Sequence, residues 1–331
     1  MAKIVTITNP LTGQPAQVDQ LDHTAQQIDD GLNIARGVSN PNLLDNWYFG
    51  NPVNQRGQTS YTGAGYGIDR WKSNGATVTV TVVDGEIQVI DNSTDWNGII
   101  QLLENWKDFA GKTVTLSALG YTVGVGHILH LQYGDNTSIE SKPFPKDTIG
   151  LVSFTVKIPD SIDSKFKVRT VRDGSKSGNS TLHLKAIKLE LGSQQTLAHQ
   201  DEDGNWQLNE IPNYGEQLAR CQRELYRDGG SDYTSVGYGL AETGKTAYFL
   251  VKLPVPMRVR PSVTYAGNWT VWDGVTGRAI ESISINAVAT NPKDCSFVNI
   301  KVDITGSDLT IGKMYQLCVR SDKSAYIEFI C

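Results

Sequence analysis

Trp96 lies in a polar stretch, Asp91-Asn92-Ser93-Thr94-Asp95-Trp96-Asn97. An indole among short polar side chains suits sugar binding. The C–H face of a pyranose is apolar and lies on a flat ring, while its hydroxyls need polar partners. Trp269 and Trp272 flank a short strand candidate just before Asp273-Gly274. Side chains alternate across a strand, so one indole is expected inward and the other outward. With Asp95 and Tyr133, these three tryptophans form the set of candidate glycan contacts. For each the competing role is a rim residue or an interface anchor, because aromatics are enriched at protein interfaces. Trp71, after Ile68-Asp69-Arg70, reads as core.

Catalysis finds less support. Of the five histidines, His127 and His130 are close together and the rest are scattered, and no GxSxG occurs. On a strand, positions i and i+3 point to opposite faces, so His127 and His130 are not expected to share a metal. Four cysteines, Cys221, Cys295, Cys318 and Cys331, form no CxxC pair, so zinc is not expected and reduced thiols are. Gly63-Ala64-Gly65-Tyr66-Gly67 lacks the GK[ST] and the following helix of a phosphate loop. Its glycines read as turns or a close backbone approach around Tyr66. Asp91, Asp95 and Asp135 sit in loop candidates, where a Ca2+ ion stays open beside the simpler reading of solvated acids. Paired carboxylates for glycoside cleavage also stay open, because Asp and Glu are common.

The elements that must position these residues are strands. Thr, Val, Tyr and Trp recur, and 32 glycines supply turns. The net charge of −5 comes from interspersed signs, which argues against a nucleic-acid partner. No apolar run is long enough to span a bilayer, and Met1 to Pro10 lacks the apolar core of a secretory signal. Synthesis and folding in a cytosol are therefore expected.

In the first 41 residues, Val18, Leu21, Ala25, Ile28, Leu32 and Ala35 form a heptad seam with polar neighbours. It predicts a short N-terminal helix, closed by Gly37. The seam would pack either on the chain's own β-domain or between identical chains. From 42 to 193 the spacing predicts eight strands, among them Thr77 to Val82, Glu86 to Ile90 after the Asp84-Gly85 turn, His127 to Tyr133 and Thr181 to Leu191. In the last, an apolar face alternates with a mostly charged one. Residues 194–213 read as a linker or ordered crossover, and 214–227 as a connector helix. From 228 to 331, six or seven further strands follow, interrupted by Pro254, Pro256 and Pro261. The fold class is mainly β: a short N-terminal helix, then two antiparallel β-sandwich or jelly-roll domains.

Asn42 to Trp71, NLLDNWYFGNPVNQRGQTSYTGAGYGIDRW, resembles the start of a domain found in phage and prophage tail-fibre-like proteins. Leu184 to Gly192, LKAIKLELG, resembles its last strand. The layout between them is similar to carbohydrate-binding modules with a galactose-binding-like jelly roll. Asn209 to Tyr226, NEIPNYGEQLARCQRELY, resembles the connector to the terminal domain of such fibres, and Phe249 to Tyr265 is similar to the opening of that domain. The resemblance implies a homotrimer in the virion tail, made in the host cytoplasm, and the missing catalytic constellations point to a non-enzymatic protein with no cofactor beyond the Ca2+ that stays open. One end would attach to phage tail or baseplate proteins. The other would recognise a host cell-surface polysaccharide or glycoconjugate. Long shaft repeats are missing, so a short tip or baseplate component is expected rather than a full fibre. A purely structural adaptor and a glycan-degrading tail enzyme remain the alternatives.

Overall fold

The computed structural model describes residues 39–331, except 105, 135–136, 163–165, 288–289 and 291–294. The heptad seam and Asp135 lie outside the described residues.

The alternating segments become strands that bury one side chain in two. In Glu86–Asp91, Ile87 and Val89 point into the core. Gly85 closes the two-residue turn before it in the left-handed region, φ +77°. Two six-stranded antiparallel sheets face each other. The first runs, edge to edge, Ser60–Thr62, Thr79–Val83, Glu86–Asp91, Ser180–Leu191, Thr113–Gly124 and Gly150–Lys157. The second runs Gly65–Tyr66, Lys72–Ser73, Gly98–Leu102, Phe166–Arg172, His127–Tyr133 and Thr137–Pro143. Their inner faces enclose one core that includes Trp47, Phe49, Trp71, Leu116, Leu131 and Phe166. Besides the eight strands expected, four short ones appear: Ser60–Thr62, Gly65–Tyr66, Lys72–Ser73 and Thr137–Pro143. They are brief or polar edge pieces with little period-two signal.

Ser180–Leu191 departs from its expected half-solvated form. A bulge at Leu184/Ala186 frees its second half from Glu86–Asp91. Residues 43–49 take that edge, through Leu43 N–H to the Leu189 carbonyl and Ile187 N–H to the Trp47 carbonyl. The charged face of this second half is sealed as well, while Lys185 before it stays exposed. Lys188 and Glu190 are fully buried: Lys188 pairs with Glu210 at 3.3 Å, and Glu190 accepts the Thr196 amide at 2.8 Å. The segment after residue 193 is thus an ordered crossover, carrying the hairpin Ala198–Gln200/Trp206–Leu208 and contributing Leu197 to the core.

The connector helix is shorter than expected, Tyr214–Gln222, capped by Asn213, whose side chain accepts the Glu216 amide. Leu225–Gly229 is a strand instead, because Tyr326–Ile330 takes partners on both edges, Leu225–Gly229 and Ser262–Ala266. The last domain is not a sandwich. Its other six strands close into a barrel in the order Ser235–Ala241, Thr246–Met257, Cys295–Ile304, Gly277–Ile285, Trp269–Trp272 and Met314–Val319. Ser235–Ala241, absent from the sequence expectation, is the strand that closes it. A Cβ at Gly239 would overlap the Tyr248 carbonyl, so glycine is required for this strand to approach its neighbour. Pro254 and Pro256 do not end their strand. They fall where its register against Cys295–Ile304 shifts, so their missing N–H groups break no regular ladder. The barrel holds a second core, with Phe249, Trp269, Ile300 and Tyr315.

Candidate functional site

The outer face of the second sheet carries the most ligand-like arrangement. In Phe166–Arg172, Phe166 and Val168 enter the core, so Lys167, Arg169 and Val171 point away from it. Arg169 lies opposite Ile100 on one neighbour and His130 on the other, and Lys72 lies opposite Ile100 one strand further. These side chains form one row across four strands. Arg169 is nevertheless buried. One Nη donates to Gln132 Oε1 at 2.8 Å and the other to the Trp96 carbonyl at 2.9 Å. Its Nε is buried without a partner among the described residues. The guanidinium is thus fixed between the strands and the rim loop.

Trp96 stands on that rim with 49 % of its surface exposed. Its loop is braced from below. Asp91 accepts from Thr77 Oγ1 at 2.7 Å and from Ser93 at 2.7 Å, and Asn74 Oδ1 accepts the Gly98 amide at 2.7 Å. The indole lies against Gly174, where a Cβ would stand 2.7 Å from Cδ1, so this packing needs glycine. An exposed indole is therefore held on a braced loop whose backbone carbonyl accepts from the buried Arg169 guanidinium. Such an indole can lie against the apolar face of a pyranose.

His130 sits at the open side of the row, with Nε2 2.6 Å from Ser138 Oγ. Burial, reinforced by the Arg169 and Lys167 charges, lowers its pKa to about 4, so the ring is neutral at pH 7. No carboxylate hydrogen bond to its other nitrogen occurs among the described residues, so the third member of a nucleophilic triad is missing there. His127, on the opposite face of the same strand, is buried at the other side, as strand alternation requires.

No family model and no curated protein sequence matches the chain. Among solved structures it is similar to a family 16 carbohydrate-binding module, with 18 % identity and a TM-score of 0.28 over 34 % of this chain and 84 % of that one. It is similar to a CBM4 module, with 16 % identity and a TM-score of 0.32 over 45 % of this chain and 99 % of that one. It is also similar to the tandem CBM22-1–CBM22-2 domain of Xyn10C from Paenibacillus barcinonensis, with 14 % identity and a TM-score of 0.33 over 88 % and 98 %. Likenesses at such TM-scores carry no argument about the ligand, and the site rests on its own geometry.

The five candidate contacts do not converge. Asp95 and Trp96 share the rim loop. Tyr133 lies opposite Phe166 and is half-buried against the first core, on the opposite face of its strand from His130. Trp269 is 3 % exposed inside the barrel and donates to the Ala266 and Tyr326 carbonyls, which removes it as a contact. Trp272 points outward, half-buried beside Tyr233 at 6.3 Å, far along the chain from Trp96. Arg169, Gln132 and Lys72 were not singled out from sequence, although alternation about Phe166 and Val168 would place Arg169 outward. Asp91 is fully engaged by Thr77 and Ser93, and no cluster of His, Cys, Asp or Glu suited to a metal occurs among the described residues. The calcium expectation thus loses Asp91, while Asp135 lies outside the described residues.

A second concavity, of about 240 Å³, opens where the connector meets the first core. Arg70 pairs there with Asp45 at 2.8 Å, Glu224 at 3.4 Å and Glu104 at 3.7 Å. Arg220 adds Asp45 at 2.6 Å, and Arg223 adds Glu104 at 3.5 Å. These charges neutralise one another, so the cleft reads as a joint between the two cores rather than as a ligand site.

Proposed function

We propose that this chain is a non-enzymatic, glycan-binding structural protein, and that the outer face of its second sheet is the binding surface. The observation that carries this is the half-exposed Trp96 indole, held against Gly174 beside the buried Arg169–Gln132 pair. The resemblance of residues 42–71 and 209–265 to tail-fibre-like proteins supports placement in a phage tail, with host-surface polysaccharide as the ligand. A short contact surface of this kind binds weakly, and several copies on one particle would add avidity without a tight single site.

The test is affinity electrophoresis or calorimetry of the full chain against purified bacterial surface polysaccharides, with Trp96→Ala and Arg169→Gln alongside. Retention by at least one polysaccharide, weakened in both variants, supports the proposal. Reducing-end release from the same polysaccharides would replace it with the enzyme reading. Retention unchanged in both variants would move the site elsewhere.

A further inference from the structure

We propose that the outer face of the C-terminal barrel carries a second sugar site, and that its ligand is a pyranose bearing an anionic group. Trp272, Gln316 and Tyr238 stand in one row across three adjacent strands, since Gln316 lies opposite Trp272 on one side and Tyr238 on the other. Trp269 and Val271 fill the barrel core, as do Tyr315 and Leu317, so Trp272 and Gln316 point outward. Tyr238 is 60 % exposed. Tyr233, equally exposed, brings its ring to 6.3 Å from that of Trp272. The row thus offers an indole and a phenol whose strand positions are roughly 10 Å apart, two strand spacings, with an amide between them. Aromatic rings receive the C–H face of a sugar, and the amide both donates to and accepts from its hydroxyls.

The charge comes from Arg320. Gly277 lies opposite Trp272, and a Cβ there would stand 2.5 Å from Arg320 Nη1. The guanidinium therefore lies over a glycine, beside Trp272 and on the same face. Arg320 is exposed and forms no ion pair among the described residues. The acids around it are engaged elsewhere. Asp273 is held by Arg278 at 3.2 Å and by Lys313 at 2.9 Å. Asp232 accepts the amides of Tyr233 and Ser321, and Asp322 those of Asn268 and Ser324. A planar guanidinium without a carboxylate partner takes a carboxylate or a phosphate through two parallel hydrogen bonds. A neutral sugar leaves that cation unmatched. The site shares no residue with the Trp96 face, and the inference does not depend on that reading.

The test is fluorine NMR of the full chain labelled with fluorotryptophan, with the Trp272 and Trp96 signals assigned from Trp272→Phe and Trp96→Phe. The probes are methyl glucuronide, glucose-6-phosphate and, as the neutral control, methyl glucoside. At least one of the two acids should shift the Trp272 signal, with an affinity at least ~10-fold above that of the glucoside. A response to the glucuronide alone assigns the carboxylate as the anionic group, and a response to the phosphate alone assigns the phosphate. Arg320→Gln alters only an exposed side chain, should keep its circular dichroism and should bring the acids down to the level of the glucoside. Arg320→Lys keeps the charge without the planar fork and should restore part of the preference. A Trp272 signal that ignores both acids overturns the proposal. So does an equal response to the glucoside, or a preference for acids that survives Arg320→Gln. Shifts confined to Trp96 would overturn it too, while leaving the second-sheet site standing.

Discussion

Asp69 is buried against the joint between the two cores, where Gln55 donates to it through its amide at 2.8 Å and its side chain at 3.2 Å. Burial outweighs these bonds and raises its pKa from 3.8 to about 6. The native chain therefore keeps this proton between pH 4 and 6, while the unfolded chain releases it. Stability from this group is highest below pH 4, falls as pH rises to 6 and stays low above that. The full difference is roughly 2–3 kcal/mol. His127 and His130, held neutral down to about pH 3 and about pH 4 by burial, act in the opposite sense, so the wild-type curve mixes all three. Subtracting the urea stability of Asp69→Asn from wild type isolates Asp69. The variant should gain roughly 2–3 kcal/mol on wild type between pH 3.5 and 7. A flat difference would show that the carboxylate is not desolvated. At this scale the sequence was legible for Trp96, whose polar neighbours marked an exposed loop, for the buried Trp71, and for the opposite faces of His127 and His130. Tyr133 and Trp269 were not separable from it, because alternation gives opposite faces without saying which face is inside. The burial of Lys188 and Glu190 was equally hidden, since the residues that seal them come from 196 and 210.

Among the elements, strands with strict alternation were legible and those without it were not. Glu86–Asp91 and His127–Tyr133 emerged close to their expected limits. Ser235–Ala241 did not, because Gly237 and Gly239 leave no apolar period, although they permit the barrel to close. The connector helix was overextended because Leu225 and Tyr226 continue its apolar face. Tyr226 instead stacks on Phe329 at 6.2 Å in the terminal sheet. That sheet is tied to the first domain by Glu328, which binds Arg56 at 3.0 Å and Arg227 at 2.7 Å. All three side chains are largely buried, so removing the shared carboxylate takes the only anionic partner from both guanidinium groups among the described residues. Glu328→Ala should lower stability by about 3–5 kcal/mol in urea titration. A loss under about 1 kcal/mol would mean that the pairs are as solvated as ordinary surface bridges.

As a whole, residues 41–331 form one compact unit with two hydrophobic cores. The joint between them is ionic, centred on Arg70, which itself adopts a left-handed backbone, φ +69°. No sequence pattern marks this joint, because Asp45, Arg70, Glu104 and Glu224 come from four distant segments. Calorimetry of the wild-type protein should show one main transition for both cores. Arg70→Ala, which removes the one cation shared by Asp45, Glu104 and Glu224, should split it in two. Two transitions already in wild type would show that the cores are energetically independent. The central claim concerns the outer face of the second sheet. The measurement that tests it most directly is the affinity of the full chain for a host-surface polysaccharide, compared with Trp96→Ala. Binding by the wild-type chain that weakens by at least ~10-fold, about 1.4 kcal/mol, in the variant is the result expected. Equal binding by the two proteins, or no binding by wild type to any polysaccharide tried, would contradict it.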